Sequence, residues 1–249
     1  MTFSARTPGR SMRLFPRLLD FMGANGNLGS TPERLAQARH DMVETQIRKR
    51  HITSTRVLQC LERVPRHEFV PAEFRDRAYE DAPLPIGGGQ TISQPYIVAA
   101  MTAALNLQGD ERVLEIGTGF GYQAAVLACL SREVFTVEFR AELATEAAER
   151  LSRLGHSNVH VHCGDGTLGL PEFAPYDAIL VAAAAPSVPA PLLAQLADGG
   201  RMVVPVGGVE NQDLQLIQRS YDTFRTTTLE PCRFVPLLGA HGWKDSPQQ

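Results

Sequence analysis

From Arg112 onward, apolar runs of strand length alternate with amphipathic stretches of helix length. The pattern predicts strand 112–117, helix 121–130, strand 133–138, helix 141–154 closed by Gly155, and strand 158–163. Strand 176–183, helix 189–197 and strand 201–206 follow. Alternation of this kind builds an α/β fold, a Rossmann-like doubly wound and mostly parallel sheet. The tail departs from this alternation, because residues 213–220, 223–228 and 233–238 read as strands with no helices between them. Antiparallel strands are therefore expected at one edge of the sheet. Ahead of the alternation, Thr31-Pro32-Glu33 combines an N-cap residue with proline in the first turn, opening a helix that runs to about Arg50. Ser54 caps a second helix with the apolar face Val57, Leu58, Leu61 and Val64, ended by Pro65. Residues 66–90 are rich in turn signals, and Pro95 opens a helix carrying Ile97, Val98, Met101 and Leu105. The expected organisation is a flexible extension over residues 1–30 and a single domain over 31–249. Within that domain, 31–108 holds N-terminal helices and a loop, and 109–249 holds the sheet.

Open parallel sheets bind ligands beyond the carboxyl ends of their strands, so those ends carry the chemistry. The first ends in Arg112-Val-Leu-Glu-Ile-Gly-Thr-Gly-Phe-Gly-Tyr122, a buried strand turning into a helix through three glycines. The second ends in Glu138, about 20 residues on, where such folds hold ribose hydroxyls. This combination implies an adenosine-containing cofactor. Dinucleotide sites favour a small residue where this chain has Tyr122, which argues against a pyrophosphate cradle and an NAD oxidoreductase. Glu115, inside the otherwise apolar strand, is a candidate to face a cationic group on the ligand. E-x-G-x-G-x-G, spanning Glu115, Gly117, Thr118, Gly119 and Gly121, resembles motif I of class I methyltransferases, which implies S-adenosyl-L-methionine. Glu138 also reads as an acid capping the next helix. Asp165 and Gly166, at the third strand end, read either as an adenine-edge pair or as an Asp-Gly turn. The fourth end, Val181 to Pro186, is wholly apolar and lacks the Asp/Asn-Pro-Pro-aromatic pattern that holds the amino groups of bases.

Composition narrows the partners. A net charge of −3 offers no general attraction to nucleic acid or to acidic membranes. The 43% apolar content suits a globular chain with a real core. Its four cysteines, Cys60, Cys129, Cys163 and Cys232, form no close pairs, so reduced thiols in a cytoplasmic, monomeric protein are expected. His160 and His162 share a strand face, yet nothing completes a ligand set, and no metal is expected. No apolar run reaches the roughly 18 residues of a membrane span. Residues 1–30 carry Arg6, Arg10, Arg13 and Arg17 against one acid, Asp20. That composition fits an organellar transit segment, but a disordered extension is preferred because the apolar cluster is broken by Pro16 and Arg17.

The segment Leu84-Pro-Ile-Gly-Gly-Gly-Gln-Thr-Ile-Ser-Gln-Pro-Tyr96 packs glycines, hydroxyls and amides just before a helix N-terminus. Ser93 reads as an N-cap, or as a group that holds a carboxylate. Residues 83–95 resemble the signature of protein-L-isoaspartate O-methyltransferases. Val64-Pro-Arg-His-Glu-Phe-Val-Pro71, Gly164-Asp-Gly166, Pro175-Tyr-Asp-Ala178 and Phe234-Val-Pro-Leu237 accompany it in the family's order, over roughly residues 35–243. The resemblance implies methyl transfer from S-adenosyl-L-methionine to the α-carboxylate of L-isoaspartyl residues in damaged proteins and peptides. It implies Ser93 as the active-site serine and Gln90, Thr91 and Ile92 along the cofactor's methionine end. Glu138 would hold the ribose, Asp165 and Gly166 would meet the adenine, and Val235 and Pro236 would lie along the peptide. A small-molecule carboxyl methyltransferase, or an idle cofactor-binding module, are the competing readings.

Overall fold

The computed structural model describes residues 1–2 and 31–244, so all but the first two residues of the expected extension lie outside the described residues. Helices α1 (Pro32–Asp41) and α2 (Thr55–Arg63) lead into the short hairpin of β1 (Leu84–Gly87) and β2 (Gln90–Ile92), then α3 (Pro95–Leu105). The alternating part follows as β3 (Arg112–Ile116), α4 (Tyr122–Ala128), β4 (Glu133–Glu138), α5 (Ala141–Arg153) and β5 (Val159–Cys163). It is completed by β6 (Tyr176–Val181), α6 (Ala190–Gln195), β7 (Leu196–Gly207), β8 (Gln212–Ser220) and β9 (Thr223–Cys232).

Seven strands form one sheet in the order β5-β4-β3-β6-β7-β8-β9. It is parallel from β5 to β7 and antiparallel across β7, β8 and β9. Residues of its central strands alternate between two cores, as a period of two requires. Val113, Val134, Ala178, Leu180 and Val203 join the core under α1 to α5. Leu114, Ile116, Phe135, Val137, Ile179 and Val181 join the opposite core, closed by Leu192 of α6 and by the tail residues Val235 and Leu237. Each fully buried aliphatic contributes roughly 1.5–3 kcal/mol relative to exposure. A one-residue slip of β3 would exchange its two faces, so the register is strongly specified.

Three expectations need correction. The first helix is not uniform to Arg50: after Asp41 it widens into a π-helical turn over Met42–Ile47 and then tightens to a 3-10 turn over Arg48–Arg50. The wide turn places Met42, Val43 and Ile47 in the core together. The stretch read only as turns contains the β1-β2 hairpin, whose tip Gly87-Gly88-Gly89 has φ of 93°, 58° and 72°. The third tail strand is absent. Residues 233–238 instead leave β9 and cross the carboxyl end of β6, where Ala184 donates to the Val235 carbonyl and accepts from Leu237 N–H, both at 2.8 Å. Pro236 has no N–H to extend a ladder.

Tyr122 does not act as a spacer beneath α4, whose Ala124 and Ala125 are fully buried. Its ring turns sideways onto Phe69, 5.6 Å away edge to face, and under the guanidinium of Arg66 at 4.9 Å. Arg66 is itself fully buried, donates Nε–H to the Ala78 carbonyl at 2.7 Å, and is lowered by burial to a pKa of about 10. The N-terminal subdomain is thereby locked to the start of α4.

Candidate active site

Strand β3 is flanked by β4 on one side and β6 on the other, so strand order reverses at its carboxyl end. A crevice is expected there, and the glycine turn fills it. Gly117, Gly119 and Gly121 have φ of 94°, 53° and 92°, a region that residues bearing a Cβ rarely adopt. Packing adds a second restriction, because a Cβ on Gly119 would meet Ile86 at 3.2 Å and one on Gly121 would meet Leu151 at 3.0 Å. The turn is pinned by Gly117 N–H donating to the Val137 carbonyl and Gly121 N–H to the Thr118 carbonyl, each at 2.8 Å.

This turn forms one wall of a cavity of about 930 Å³, mouth included. The cavity is also lined by Gln90, Thr91, Ile92 and Ser93 from the hairpin and the approach to α3, and by Val235 and Pro236 from the crossing tail. Glu138 closes one end, 6% exposed. One of its oxygens accepts from Gly119 N–H at 2.8 Å and the other from Arg140 N–H at 3.1 Å. The carboxylate is thus held by backbone donors on both sides, with lone pairs left over for a ligand's hydroxyls. Of the sequence-derived candidates, Gln90, Thr91, Ile92, Ser93, Gly117, Thr118, Gly119, Glu138, Gly166, Val235 and Pro236 all line this one cavity.

Three candidates do not. Glu115 faces the protein interior, fully buried, and accepts a hydrogen bond from the Thr136 hydroxyl. Thr136 in turn meets Thr118 of the turn, with 2.6 Å between the hydroxyls. Burial, opposed by that Thr136 bond and assisted by Glu138, pushes the Glu115 carboxyl up to about 8. At neutral pH it is mostly a neutral acid, one hydroxyl removed from the turn. Gly121 serves as N-cap of α4 and as a packing contact. Asp165 is consumed locally: one oxygen accepts from the Thr167 N–H and hydroxyl, and the other accepts from Ala240 N–H at 2.7 Å. Burial works upward on its pKa, but the bonds from Thr167 and Ala240 outweigh it and hold the group below its ordinary value. The Asp-Gly turn reading describes its side chain, which tethers the tail; only Gly166 reaches the cavity wall.

Sequence reasoning passed over Phe139, Arg140 and Leu238. Phe139 lines the cavity while remaining 52% exposed. A large apolar side chain beside the glycine turn, directly after Glu138, was a legible signal. Among the described residues, Glu138 and Arg140 are the only charged ones lining the cavity, and Arg140 extends under Gly88 at the hairpin tip. Glu138, with its two oxygens held by backbone N–H groups, keeps lone pairs for a pair of ribose hydroxyls, as a nucleoside requires. The donor set fits S-adenosyl-L-methionine.

Ser93 does not cap α3: Gln94 stands at the N-cap, without a side-chain cap bond. Ser93 instead lies between two cavities. A second chamber, lined by Arg50, Tyr96, Glu230 and Phe234 among others, shares Thr91, Ser93, Ala182 and Val235 with the first. His160 and His162 are elsewhere, on β5; His160 stacks on Phe135 and meets Glu133 at 3.1 Å. His40, Glu44 and Glu62 bring ligand-type atoms within 4.8 Å at the surface of the first two helices. They are already engaged in His40–Glu62 and Arg48–Glu44 pairs. Among the described residues no helix is long and apolar enough to cross a membrane, and all four cysteines are free.

Comparison with known proteins agrees with this geometry. The family model of protein-L-isoaspartate(D-aspartate) O-methyltransferase matches residues 37–242. A protein-L-isoaspartate O-methyltransferase of Dictyoglomus thermophilum is 54% identical over 215 residues, covering 86% of this chain and 97% of that protein. Protein-L-isoaspartate O-methyltransferase 2 of Marinobacter nauticus is 56% identical over 211 residues, covering 84% and 96%. A solved protein-L-isoaspartate O-methyltransferase superposes with a TM-score of 0.74 at 31% identity, covering 82% of this chain and 66% of that longer one. A Plasmodium falciparum structure described as a putative protein-L-isoaspartate O-methyltransferase, in complex with S-adenosyl-L-homocysteine, gives 0.70 at 23% identity, covering 80% and 98%, a likeness of fold. The chain belongs to the protein-L-isoaspartate(D-aspartate) O-methyltransferase family.

Proposed function

We propose that this protein transfers a methyl group from S-adenosyl-L-methionine to the free α-carboxylate of L-isoaspartyl residues in damaged proteins and peptides, the first step of their repair. The observation that carries this reading is the place of Ser93, on the wall common to the cavity at the glycine turn and a second, open chamber. The cofactor supplies an electrophilic methyl on a sulfonium. Glu138 would hold the ribose, Phe139 would line the cavity beside it, and Gln90, Thr91 and Ile92 would border the methionine end. The substrate carboxylate is already ionised at neutral pH, so no strong base is required. Ser93 donates its hydroxyl proton to one carboxylate oxygen and leaves the other free for in-line attack, an effect of alignment. Val235 and Pro236, laid across the end of β6, border the peptide backbone. The ester formed then loses methanol as the following peptide nitrogen closes a succinimide, which reopens partly to normal aspartate.

The chain acts in this reading as one methyltransferase domain, a monomer of the cytoplasm with reduced thiols. A small-molecule carboxyl methyltransferase would not need the open second chamber bordered by the tail. Methyl transfer from labelled cofactor to an isoaspartyl peptide, set against its normal aspartyl twin, tests the reading. Label in the isoaspartyl peptide alone is expected; equal labelling of both, or of neither, refutes it.

A further inference from the structure

We infer that Glu230 makes the second chamber a subsite for a cationic side chain, so that the enzyme favours isoaspartyl sites flanked by lysine or arginine over sites flanked by acids. The inference rests on the function proposed above and names the substrate class of that same site.

Among the described residues, Glu230 is the one carboxylate lining the chamber, which also holds two arginines. Both arginines have acidic partners of their own. Arg50 forms a close ion pair with Asp81 and lies over the Tyr96 ring, 4.7 Å from its centre. Arg233 faces solvent, 69% exposed, 3.7 Å from Glu210. Glu230 has no such partner among the described residues. One of its oxygens accepts from the Tyr96 phenol at 3.2 Å; the phenol is neutral and offsets no charge. The Cys232 thiol, two residues along β9, is pushed up to about 12 by burial first and then by Asp213 and Glu230.

Geometry makes this charge a selector. Tyr96 belongs to the first turn of α3, three residues after Ser93, and its hydroxyl anchors Glu230 in the chamber that Ser93 also lines. A peptide whose reactive carboxylate lies at Ser93 extends its neighbouring residues into this chamber. A lysine there meets an unpaired carboxylate, while a glutamate there meets a like charge. At a half-buried site each effect is a few-fold, and attraction for one set against repulsion of the other multiplies to about tenfold.

The test uses the full chain and one isoaspartyl peptide made with lysine, alanine or glutamate at each of the two positions on either side of the damaged link. In the wild type, kcat/KM is expected to favour lysine over glutamate by about tenfold at one or more positions, and to lose part of that ratio at high salt. Glu230→Gln is expected to bring the ratio within about threefold, and Glu230→Arg to reverse it. Because the readout is a ratio between peptides on one enzyme sample, partial loss of folded protein does not move it. Equal rates for all three peptides in the wild type, or a tenfold ratio that survives in Glu230→Gln, overturns the subsite. A wild type that methylates none of the isoaspartyl peptides refutes the proposed function itself, and the subsite with it.

Discussion

The two walls that meet at Ser93 are made of different material. The cofactor side comes from consecutive strand-to-helix turns after β3 and β4, strands buried on both faces and paired in register from Arg112–Glu133 to Ile116–Val137. Its glycines are held in left-handed backbone by both conformation and packing, and its carboxylate is tied to two backbone N–H groups. The second chamber, proposed for the peptide, gathers Arg50, Pro83, Thr91, Ser93, Gln94, Tyr96, Ile97, Ala182 and residues 230–235. Most of β9 is exposed, and the tail reaches the site through two backbone bonds to Ala184. An invariant ligand is met by a preorganised, locally encoded cradle. In the proposed reaction, a ligand whose flanks vary from one damaged protein to the next would meet an open surface with few fixed demands.

Substitutions at the shared wall test this contrast most severely. Ser93→Ala is expected to lower kcat on the order of 100-fold, the usual cost of losing one positioned donor at a reacting oxygen. Cofactor affinity by calorimetry should hardly change, because the serine serves the other chamber. Undiminished turnover in that variant would take Ser93 out of the reaction. Next in size, Glu138→Ala should weaken the cofactor about 30-fold, or ~2 kcal/mol, the scale of hydrogen bonds to a charged group. Its turnover at saturating cofactor should stay near the wild-type value. An unchanged dissociation constant would break the assignment of the rigid wall to the nucleoside.

The remaining test, at Glu115 behind the cradle, is read in stability and leaves the shared wall untouched. Its carboxyl keeps a proton up to about pH 8 in the folded protein, against an ordinary value of 4.5. Between those values the folded state binds one proton more than the unfolded chain, so stability falls as pH rises across that window. Glu115→Gln has nothing to titrate there. Its melting temperature should decline less between pH 4.5 and 8 than that of the wild type, a window taken from the same shift. Parallel declines would mean that the buried group is ionised throughout.

How much of this was legible beforehand depended on distance along the chain. The glycine turn, Glu138 and the loop 83–95 each declare themselves within a dozen residues, since their chemistry follows from local backbone requirements. Glu115 and Asp165, expected at the cofactor, do not line the cavity, because a motif places a residue in sequence without saying which way its side chain turns. Glu115 sits at an interior position of β3, and the partners of Asp165 include Ala240, 75 residues further on. The third tail strand was misread for a related reason. Residues 233–238 have strand-like composition, but they make only isolated bridges, Pro236 to Ala184 beyond the end of β6 and Leu238 to Trp243.

The amino-acid order alone determined the alternation of strands and helices, the cofactor turn with its acid, and the family signature around Ser93. Each of these is set by side-chain period, by glycine's access to positive φ, or by contiguous residues. Only the tertiary structure decided that Ser93 stands between two chambers, that Glu115 points into the core, and that Glu230 has no cationic partner among the described residues. Those outcomes depend on which distant segments come together as the sheet closes and the tail crosses it, and on which charges find partners there.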